Sequence, residues 1–222
     1  MEKMLSDETV GQIKDVFARL KEPVQILFFG SDGDCDYCGD TRQLLEEVTA
    51  ADNRIGLSIY DLAVDTQIAK QFNVDKAPGI VIAAKDGDQV LDFGIQYSGI
   101  PSGHEFGTLI HDIVLVSGRD SGLSEQVRDY LKKLDKPLHL QVFVTPTCPY
   151  CPSAVLLAHR MAMENPRMVR AEGVEATEFP DLSNRFGVSG VPQTVINAGA
   201  GSVVGAVPEN QLFSEIRHAL AN

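Results

Sequence analysis

The sequence has no long apolar run and no excess of positive charge. None of its segments approaches the roughly 18 consecutive apolar residues of a membrane span, and its polar start, MEKMLSDETV, has no apolar stretch typical of a signal peptide. The 222 residues carry 31 acidic and 19 basic side chains, for a net charge of −12. This charge argues against nucleic acid and anionic membranes as partners. We therefore expect a cytoplasmic protein.

Cysteine is scarce, and the few cysteines are paired. The four form two CxxC motifs, Cys35/Cys38 and Cys148/Cys151, with none left over. A disulfide scaffold is not expected in a cytoplasmic chain of this length, so redox or metal chemistry is the leading interpretation. The first 116 residues carry 20 acidic and 9 basic side chains, net −11, and the remaining residues carry 11 and 10, net −1. The two motifs therefore differ in electrostatic surroundings.

The chain repeats itself at a nearly constant interval. The segment KEPVQILFF resembles DKPLHLQVFV, and KQFNVDKAPG resembles NRFGVSGVPQ. Pro78 and Pro192 in the second pair of segments are 114 residues apart, and Cys35 and Cys148 are 113 residues apart. A lone CxxC is weak evidence, whereas a whole unit that recurs at one offset indicates two copies of one structural unit.

Each unit shows the same order of hydrophobic patterns. An amphipathic helix leads to a buried strand, CxxC, a helix, a strand, a short helix and the proline, and then to a strand pair and a last helix. The predicted strands are Val24–Phe29, Ile55–Asp61, Leu138–Val144 and Val169–Glu175, and strand pairs are predicted within Gly79–Gly94 and Gln193–Val207. The helices that follow the two CxxC motifs are predicted at Thr41–Ala50 and Ser153–Asn165.

The pattern βαβ followed by ββα predicts an α/β protein of two units. The Gly-rich stretch SGRDSG is the natural boundary between them. We expect a unit with CDYC at residues 1–117 and a unit with CPYC at residues 118–222. The last helix of the first unit is predicted to begin with a capping box, in which Ser102 is the N-cap and Glu105 stands three residues later.

These motifs resemble a known family. Each unit resembles a thioredoxin fold, and the tandem resembles the glutaredoxin-like protein disulfide oxidoreductases of thermophilic archaea and bacteria. The segments VFVTPTCPYCPSAV, GIPSGHEF and AHRMAMEN carry the resemblance, which covers nearly the whole chain. It implies two tandem thioredoxin-like units with a central mixed sheet flanked by helices. It also implies protein clients, no bound cofactor, and electrons from NADPH through a thioredoxin-reductase-like flavoenzyme.

The position of each CxxC suits dithiol chemistry. Thr147 is a good N-cap, which would make Cys148 the first helical residue and expose its sulfur to the positive end of the helix dipole. That environment favours the thiolate, which is the nucleophile in disulfide exchange. Cys148 is then the attacking thiol and Cys151 resolves the mixed disulfide. We expect Cys35 and Cys38 to take the same roles in the first unit.

Prolines and tyrosines are the candidate client-binding residues. The resemblance implies that the Ala77–Pro78 and Val191–Pro192 bonds are cis and face the cysteines. The backbone of the residue before each proline would then pair with an extended client segment. Tyr37 and Tyr150, inside the motifs, are expected to contact clients modestly, and a packing role fits them equally well.

The two sites are not expected to behave alike. Asp32, Asp34, Asp36 and Asp40 crowd Cys35, and nearby negative charge disfavours a thiolate. A less stabilised thiolate makes the disulfide relatively more stable and lowers its reduction potential. Our hypothesis is that the second site is the more oxidising one and faces the clients. The alternative is that the aspartates are screened by solvent and the potentials are similar.

Two departures from related folds bear on the mechanism. Many thioredoxins carry a buried aspartate six residues before the attacking cysteine, and those positions hold Phe29 and Val142 here. Asp61 and Glu175, near strand ends, are candidate substitutes, although a carboxylate in solvent is the simpler interpretation of each. The glutathione-binding Gly-Gly-Asp-like sequence of glutaredoxins is not evident in NAGAGSVVGAVPEN, so glutathione dependence is in doubt.

Three alternatives remain open at this stage. Two CxxC pairs can form a four-cysteine zinc or iron–sulfur centre, but each pair here has its own strand, helix and proline, so we assign no metal ligand. The second alternative is an electron relay in a peroxide-reducing system with a peroxiredoxin. The N-terminal region of alkyl hydroperoxide reductase flavoproteins also has two fused thioredoxin units, of which the first lacks the cysteine pair. The third is a non-catalytic client-binding or metal-carrying tandem. We assign no catalytic role to the five histidines.

Overall fold

The computed structural model describes residues 3–33 and 35–221. The strands are β1 (Val24–Gly30), β2 (Ile55–Asp61), β3 (Gly79–Asp86), β4 (Gln89–Leu91), β5 (Ile95–Ser98), β6 (Leu138–Val144), β7 (Val169–Glu175), β8 (Gln193–Ile196) and β9 (Gly201–Val204). The helices are α1 (Asp7–Phe17), α2 (Cys38–Thr49), α3 (Thr66–Gln71), α4 (His104–Gly118), α5 (Glu125–Lys132), α6 (Cys151–Glu164), α7 (Pro180–Arg185) and α8 (Glu209–Ala221), with a 3-10 turn at Asn197–Gly199.

One mixed sheet runs through both halves of the chain. Its strand order is β2-β1-β3-β5-β7-β6-β8-β9, and β4 pairs with β3 at the side. In each half the strand before CxxC pairs in parallel with the next strand and antiparallel with the strand after the proline. The predicted α/β class and the mixed sheet flanked by helices are confirmed. The predicted strands Ile55–Asp61, Leu138–Val144 and Val169–Glu175 match the observed bounds.

The sheet is covered on both faces. Every residue of β1 is buried, and all but one residue of β6 are buried, as expected for strands between two layers. One face carries a large core that extends through both halves and includes Ile26 and Leu140. The other face carries two smaller clusters, one around Phe29 and one around Phe143. The strand that leads to each CxxC is therefore held rigidly from both sides.

The strand β5 is a feature that the sequence pattern did not predict. It pairs antiparallel with β3 and parallel with β7, and so it joins the two halves into one sheet. Two of its four residues are polar but buried: the amide of Gln96 donates to the Phe72 carbonyl, and the Ser98 hydroxyl donates to Glu172 in the second half. The alternation of apolar and polar residues in β5 fits a strand, but four residues are too few to predict it, and the partners of its polar side chains come together only in the folded protein.

The predicted capping box at the start of α4 is wrong. The N-cap is Gly103, with φ +59°, and no side chain caps the helix there. A Cβ atom on Gly103 would lie 2.2 Å from the Pro146 carbonyl oxygen, and the next amide, that of His104, donates to the same oxygen at 3.0 Å. Packing against the loop before the second CxxC therefore decides how α4 begins. Glu105 is buried instead of turning back to the N-cap.

The division into two units stays a prediction. The helix α4 ends at Gly118 and α5 begins at Glu125, so the proposed boundary at residue 117 falls in the last turn of α4. The large core and the sheet both continue across this point. Below, residues 1–117 are called the first half and residues 118–222 the second half.

Candidate active sites

Each CxxC motif forms a disulfide in the turn between a strand and a helix. Cys35–Cys38 lies between β1 and α2, Cys148–Cys151 lies between β6 and α6, and the two Cα atoms are 5.5 Å apart in both pairs. Cys35 is half-buried, whereas Cys38 and Cys148 are 8% exposed and Cys151 is 0% exposed. In each pair the first cysteine is the more exposed, which suits an attacking thiol with a resolving thiol behind it.

The helices begin at the second cysteine of each motif, which is before the predicted starts Thr41 and Ser153 but after the start at Cys148 that an N-cap at Thr147 would give. The N-cap of α6 is Tyr150, not Thr147, and Cys148 lies in the preceding turn, where its amide donates to the Thr145 carbonyl at 3.1 Å. Pro152 is the residue after Cys151, in the first turn of α6, where its missing amide proton leaves no helical hydrogen bond unmade. The first helical residue is the second cysteine, and the same holds for Cys38 in α2.

Both predicted cis peptide bonds are confirmed. Ala77–Pro78 and Val191–Pro192 are cis. The Cys148 sulfur lies 3.7 Å from the Val191 carbonyl oxygen, and Cys35 lines one cavity together with Ala77 and Pro78. We call Cys35, Cys38, Ala77 and Pro78 the first site, and Cys148, Cys151, Val191 and Pro192 the second site. The structure thus brings together, in each half, the residues that the sequence assigned to one site.

The two motif tyrosines lie on the surface. Tyr37 is 45% exposed and Tyr150 is 69% exposed, and each is the residue before the resolving cysteine. Tyr37 also lines the cavity that contains Cys35. This exposure argues against a purely packing role, and client contact by both tyrosines stays a prediction.

Charge is distributed unequally around the two disulfides. Asp32, Asp36 and Asp40 are exposed around the first site, and Asp34 lies outside the described residues. From Thr145 to Val155 the second motif has no charged residue in its sequence. The carboxylates that were expected to crowd Cys35 are therefore partly solvated, which reduces their effect on the thiol. A difference in reduction potential between the sites stays a prediction.

The positions six residues before the attacking cysteines hold no acid and are part of the core. Phe29 and Val142 are both 0% exposed. Of the candidate substitutes, Asp61 accepts hydrogen bonds from the amides of Ala63 and Val64 and lines a cavity of about 270 Å³ next to Cys38. Asp61 is half-buried near the first site, and its role as a substitute for the missing acid stays a prediction.

Glu175 is not a solvated carboxylate. It is 5% exposed, and its Oε2 atom accepts from the Thr177 hydroxyl at 2.7 Å and from the Glu178 amide at 2.5 Å. Its Oε1 atom is buried and has no hydrogen-bond partner within the described residues. The simpler interpretation that the sequence favoured for Glu175 is therefore wrong, because the end of β7 is covered by the loop that follows it.

Glu105 is an acid that the sequence pattern places at a helix cap and the structure places in the interior. It is 3% exposed, and neither carboxyl oxygen has a hydrogen-bond partner in residues 3–33 and 35–221. Burial raises the pKa of Glu105 to about 7, the nearby Thr108 hydroxyl and the charge of His159 oppose the effect, and the Asp112 carboxylate adds to it. Its helix begins against Pro146 in the loop before Cys148. In the sequence, the segment GHEF contributes to the family resemblance, but no residue pattern in it predicts that Glu105 is buried.

A buried hydrogen-bonded cluster lies beside Glu105. Asp112 lies 2.6 Å from the Nδ1 atom of His159 and accepts from the Tyr97 hydroxyl at 2.5 Å. The Nε2 atom of His159 lies 3.2 Å from the Gln96 carbonyl oxygen. Since both imidazole nitrogens face acceptors, His159 links α6 to α4 and β5 as a structural residue. Its position in the core is consistent with the absence of a predicted catalytic role.

An ion pair between the halves holds the loop of the first site. The Lys76 ammonium, next to Ala77, lies 2.9 Å from a carboxyl oxygen of Glu172, which is 3% exposed. Burial by itself would raise the pKa of Glu172, but the imidazole of His139 at 3.3 Å and the charge of Lys76 outweigh it and hold that pKa well below its ordinary value. The same attraction outweighs desolvation at Lys76 and raises its pKa.

Neither a metal-binding cluster nor a membrane-spanning helix is found among the described residues. No group of three or more His, Cys, Asp or Glu side chains among them is arranged to hold a metal ion. None of the helices in this part of the chain combines the length and apolarity that crossing a membrane requires.

A disulfide at the start of a helix, opposed by a cis-proline loop, defines the class of thioredoxin-fold dithiol–disulfide proteins. Comparison with known proteins agrees with this class. Residues 138–218 match the thioredoxin domain family. A protein disulfide oxidoreductase from Aeropyrum pernix is 30% identical, and the superposition has a TM-score of 0.87 and covers 96% of this chain and 92% of that one. The chain belongs to the thioredoxin-fold protein disulfide oxidoreductase family.

A second group of relatives is similar over the same length. The structure of the N-terminal domain of the alkyl hydroperoxide reductase AhpF from Enterococcus faecalis is 26% identical, with a TM-score of 0.85 and coverage of 96% of this chain and 99% of that one. The corresponding alkyl hydroperoxide reductase polypeptide of Staphylococcus aureus is 28% identical over 194 residues, which are 87% of this chain. The match spans 34% of the length of that curated relative.

Proposed function

We propose that this protein forms, reduces or isomerises disulfides in protein clients through mixed disulfides at Cys148 and, less readily, Cys35. The observation that carries the proposal is the second site: a disulfide whose outer sulfur lies 3.7 Å from the Val191 carbonyl oxygen, at the edge where a client strand can pair. Ala77, Pro78, Val191 and Pro192 would bind the client backbone, and Tyr37 and Tyr150 would contact its side chains.

The reaction at the second site balances without a bound cofactor. In the reducing direction the Cys148 thiolate attacks a client disulfide, forms a mixed disulfide and releases one client thiolate, which takes up a proton. The Cys151 thiol loses its proton and attacks the Cys148 sulfur, and the second client thiolate leaves. The client has gained two electrons, and Cys148–Cys151 is again a disulfide. Client oxidation is the reverse sequence.

Glu105 is our candidate for proton exchange at the second site. The usual acid position holds Val142, which is in the core. Glu105 is buried and lacks a partner within the described chain, its pKa is raised to about 7, and it lies on the helix that packs against Pro146. A group with such a pKa can accept and return a proton at neutral pH.

The upstream partner follows from the same chemistry. A dithiol that is used catalytically must be restored by another donor or acceptor of two electrons. We propose a thioredoxin-reductase-like flavoenzyme that uses NADPH, and a cytoplasmic location in which such a partner is present. This proposal rests on the resemblance of the chain to the disulfide oxidoreductases and to the alkyl hydroperoxide reductases.

Electron relay to a peroxiredoxin is the second candidate function. The match over 87% of this chain to an alkyl hydroperoxide reductase favours it. The complete disulfide Cys35–Cys38 favours the general oxidoreductase instead, because a relay through the second site alone does not use it. A peroxiredoxin reduced as fast by the variant C35S/C38S as by the wild type would support the relay.

A site-resolved redox titration tests the proposed function. The protein would be equilibrated in graded dithiothreitol buffers, its thiols trapped by alkylation, and the peptides of each site quantified by mass spectrometry. We expect two independent two-electron transitions between roughly −300 and −120 mV. We also expect the variant C148S/C151S, which retains only the first site, to lose most of the insulin reduction of the wild type. Thiols that stay protected from alkylation, together with a stoichiometric metal, would contradict the proposal.

A further inference from the structure

A cavity lined by residues of both halves includes Cys35 of the first disulfide. Its volume is about 420 Å³. The first half lines it with Cys35, Asp36, Tyr37, Ala77 and Pro78, and the second half lines it with Thr177, Glu178, Phe179 and Pro180. A client that reaches Cys35 therefore meets side chains from both halves. The internal repeat does not show this, because position 64, which is offset by 114 from Glu178, holds a valine.

Glu178 is held firmly at the wall of this cavity. Its Oε1 atom accepts a hydrogen bond of 2.7 Å from the Ile100 amide in the first half, and its own amide donates to Glu175 at 2.5 Å. Gly99, with φ +96°, lets the carboxyl approach, since a Cβ atom there would lie 2.8 Å from the same Oε1 atom. The carboxyl of the second half is thus fixed by the backbone of the first half.

The charges around Glu178 disfavour its ionised form. Burial raises the pKa of Glu178 to about 7, the Glu175 carboxylate adds to the effect, and the Ile100 amide opposes it. Asp36 and Tyr37 are the other titratable groups on the cavity wall apart from Cys35, and no described residue of the lining is cationic. The nearby Lys76 is engaged by Glu172. Glu178 therefore changes its protonation in the pH range in which a cysteine thiol begins to ionise.

We propose that Glu178 exchanges protons with Cys35, so that the first site obtains its acid–base group from the second half. The proposal rests on the proposed function. The Glu178 carboxylate takes the proton of the Cys35 thiol, directly or through a water molecule in the cavity. The Cys35 thiolate attacks a client disulfide and forms a mixed disulfide, and the departing client thiolate receives the proton from Glu178. The carboxylate is regenerated and no proton is lost or gained.

The test uses the full chain with only the first site active, C148S/C151S. The alkylation rate of the Cys35 thiol by iodoacetamide would be measured from pH 5 to pH 10. We expect a second inflection near pH 7, where Glu178 titrates, in addition to the inflection of the thiol itself. The variant E178Q in the same background is expected to lose that inflection. Gln keeps an oxygen for the Ile100 amide, so the loop is expected to keep its structure, which the urea midpoint would check.

A matched control and a second readout complete the test. D181N removes an exposed carboxylate three residues further along, on α7, and is expected to keep the inflection. The rate of insulin reduction by the first site at pH 7 is expected to fall roughly tenfold in E178Q. This fall is smaller than the effect typical of removing a well-positioned acid–base group. A parent protein without the inflection, or E178Q rates within about twofold of D181N at every pH, would overturn the proposal.

The alkylation measurement distinguishes this proposal from the proposed function. Alkylation needs a titrating thiol but no turnover, so it reports on Glu178 even where insulin is not reduced. A protein that shows the Glu178-dependent inflection but reduces no protein disulfide would contradict the proposed function alone. A protein that reduces insulin through its first site with an unchanged E178Q profile would contradict the role of Glu178 alone.

Discussion

The first and second sites share one backbone design and differ in what surrounds it. Both have a disulfide with Cα atoms 5.5 Å apart, a helix that begins at the second cysteine, and a cis proline. The first is bordered by exposed aspartates, whereas the second motif is uncharged. Local geometry repeats because the strand, turn and helix repeat. The electrostatics do not repeat, because surface charge is free to vary where the fold does not require it.

The acidic residues near the two sites also do not follow the internal repeat. Glu105 belongs to the first half, but its helix packs on the loop before the second disulfide. Glu178 belongs to the second half and lines the cavity of the first disulfide. Neither residue has an acidic counterpart at the repeat offset. Each half therefore contributes a carboxyl side chain at a contact with the other half, although each has its own cysteines and proline.

The largest expected effect comes from removing the ion pair between Lys76 and Glu172, which connects the two halves. Replacing it in K76M leaves Glu172 buried with a weaker partner set, which should lower the free energy of unfolding by about 4 kcal/mol. Since the pKa of Glu172 is held well below its ordinary value of 4.5, its contribution is present in full above that value and is lost progressively as the pH falls toward the low folded value. The deficit should therefore be present in full at pH 7 in urea unfolding and shrink only at acidic pH.

A matched variant controls for loss of a surface lysine. Lys3 pairs with Asp7 at 3.1 Å, and both side chains are largely exposed, so K3M should change stability by less than about 0.5 kcal/mol. Equal effects of K76M and K3M would show that the halves are not held together by this ion pair.

Glu105 gives the next effect, and it depends on pH. The folded protein holds the Glu105 proton up to about pH 7, whereas the unfolded chain releases it near 4.5. The wild type therefore loses stability as the pH rises between these values, by up to about 3 kcal/mol. E105Q should not show this loss, so its stability relative to the wild type should increase from pH 5 to pH 8. The exposed E8Q is the control, and a parallel pH dependence of E105Q and the wild type would refute the prediction.

The smallest expected effect concerns the charge difference between the sites. Neutralising two exposed carboxylates in D36N/D40N should raise the reduction potential of the first site by about 20 mV, since exposed charges contribute roughly 0.5 kcal/mol each and 30 mV is about 1.4 kcal/mol. The second site is the internal control and should not change. In the wild type we expect the first site to have the lower potential. Wild-type potentials within about 10 mV of each other, or in reverse order, would make the charge hypothesis wrong.

Sequence reasoning succeeded where short-range patterns dominate. The strands Ile55–Asp61, Leu138–Val144 and Val169–Glu175 were predicted with their observed bounds, and for Leu138–Val144 a near-continuous apolar run indicated a strand buried on both faces. It failed at helix starts: α6 begins at Cys151 and not at Cys148, and contact of Gly103 with Pro146 replaces the capping box. The start of α4 depends on a tertiary contact, which residue preferences at a cap do not include.

The sequence by itself determined the repeat, the two cysteine pairs, the opposing prolines and the fold class, because each follows from residue spacing and local hydrophobic pattern. Only the tertiary structure decided that β5 joins β7, that Lys76 pairs with Glu172, and that Glu178 lines the cavity of Cys35. These contacts bring together residues about 75 to 145 positions apart in the chain. Their partners are chosen by how the two halves pack, and a pattern within one half contains no information about the surface of the other.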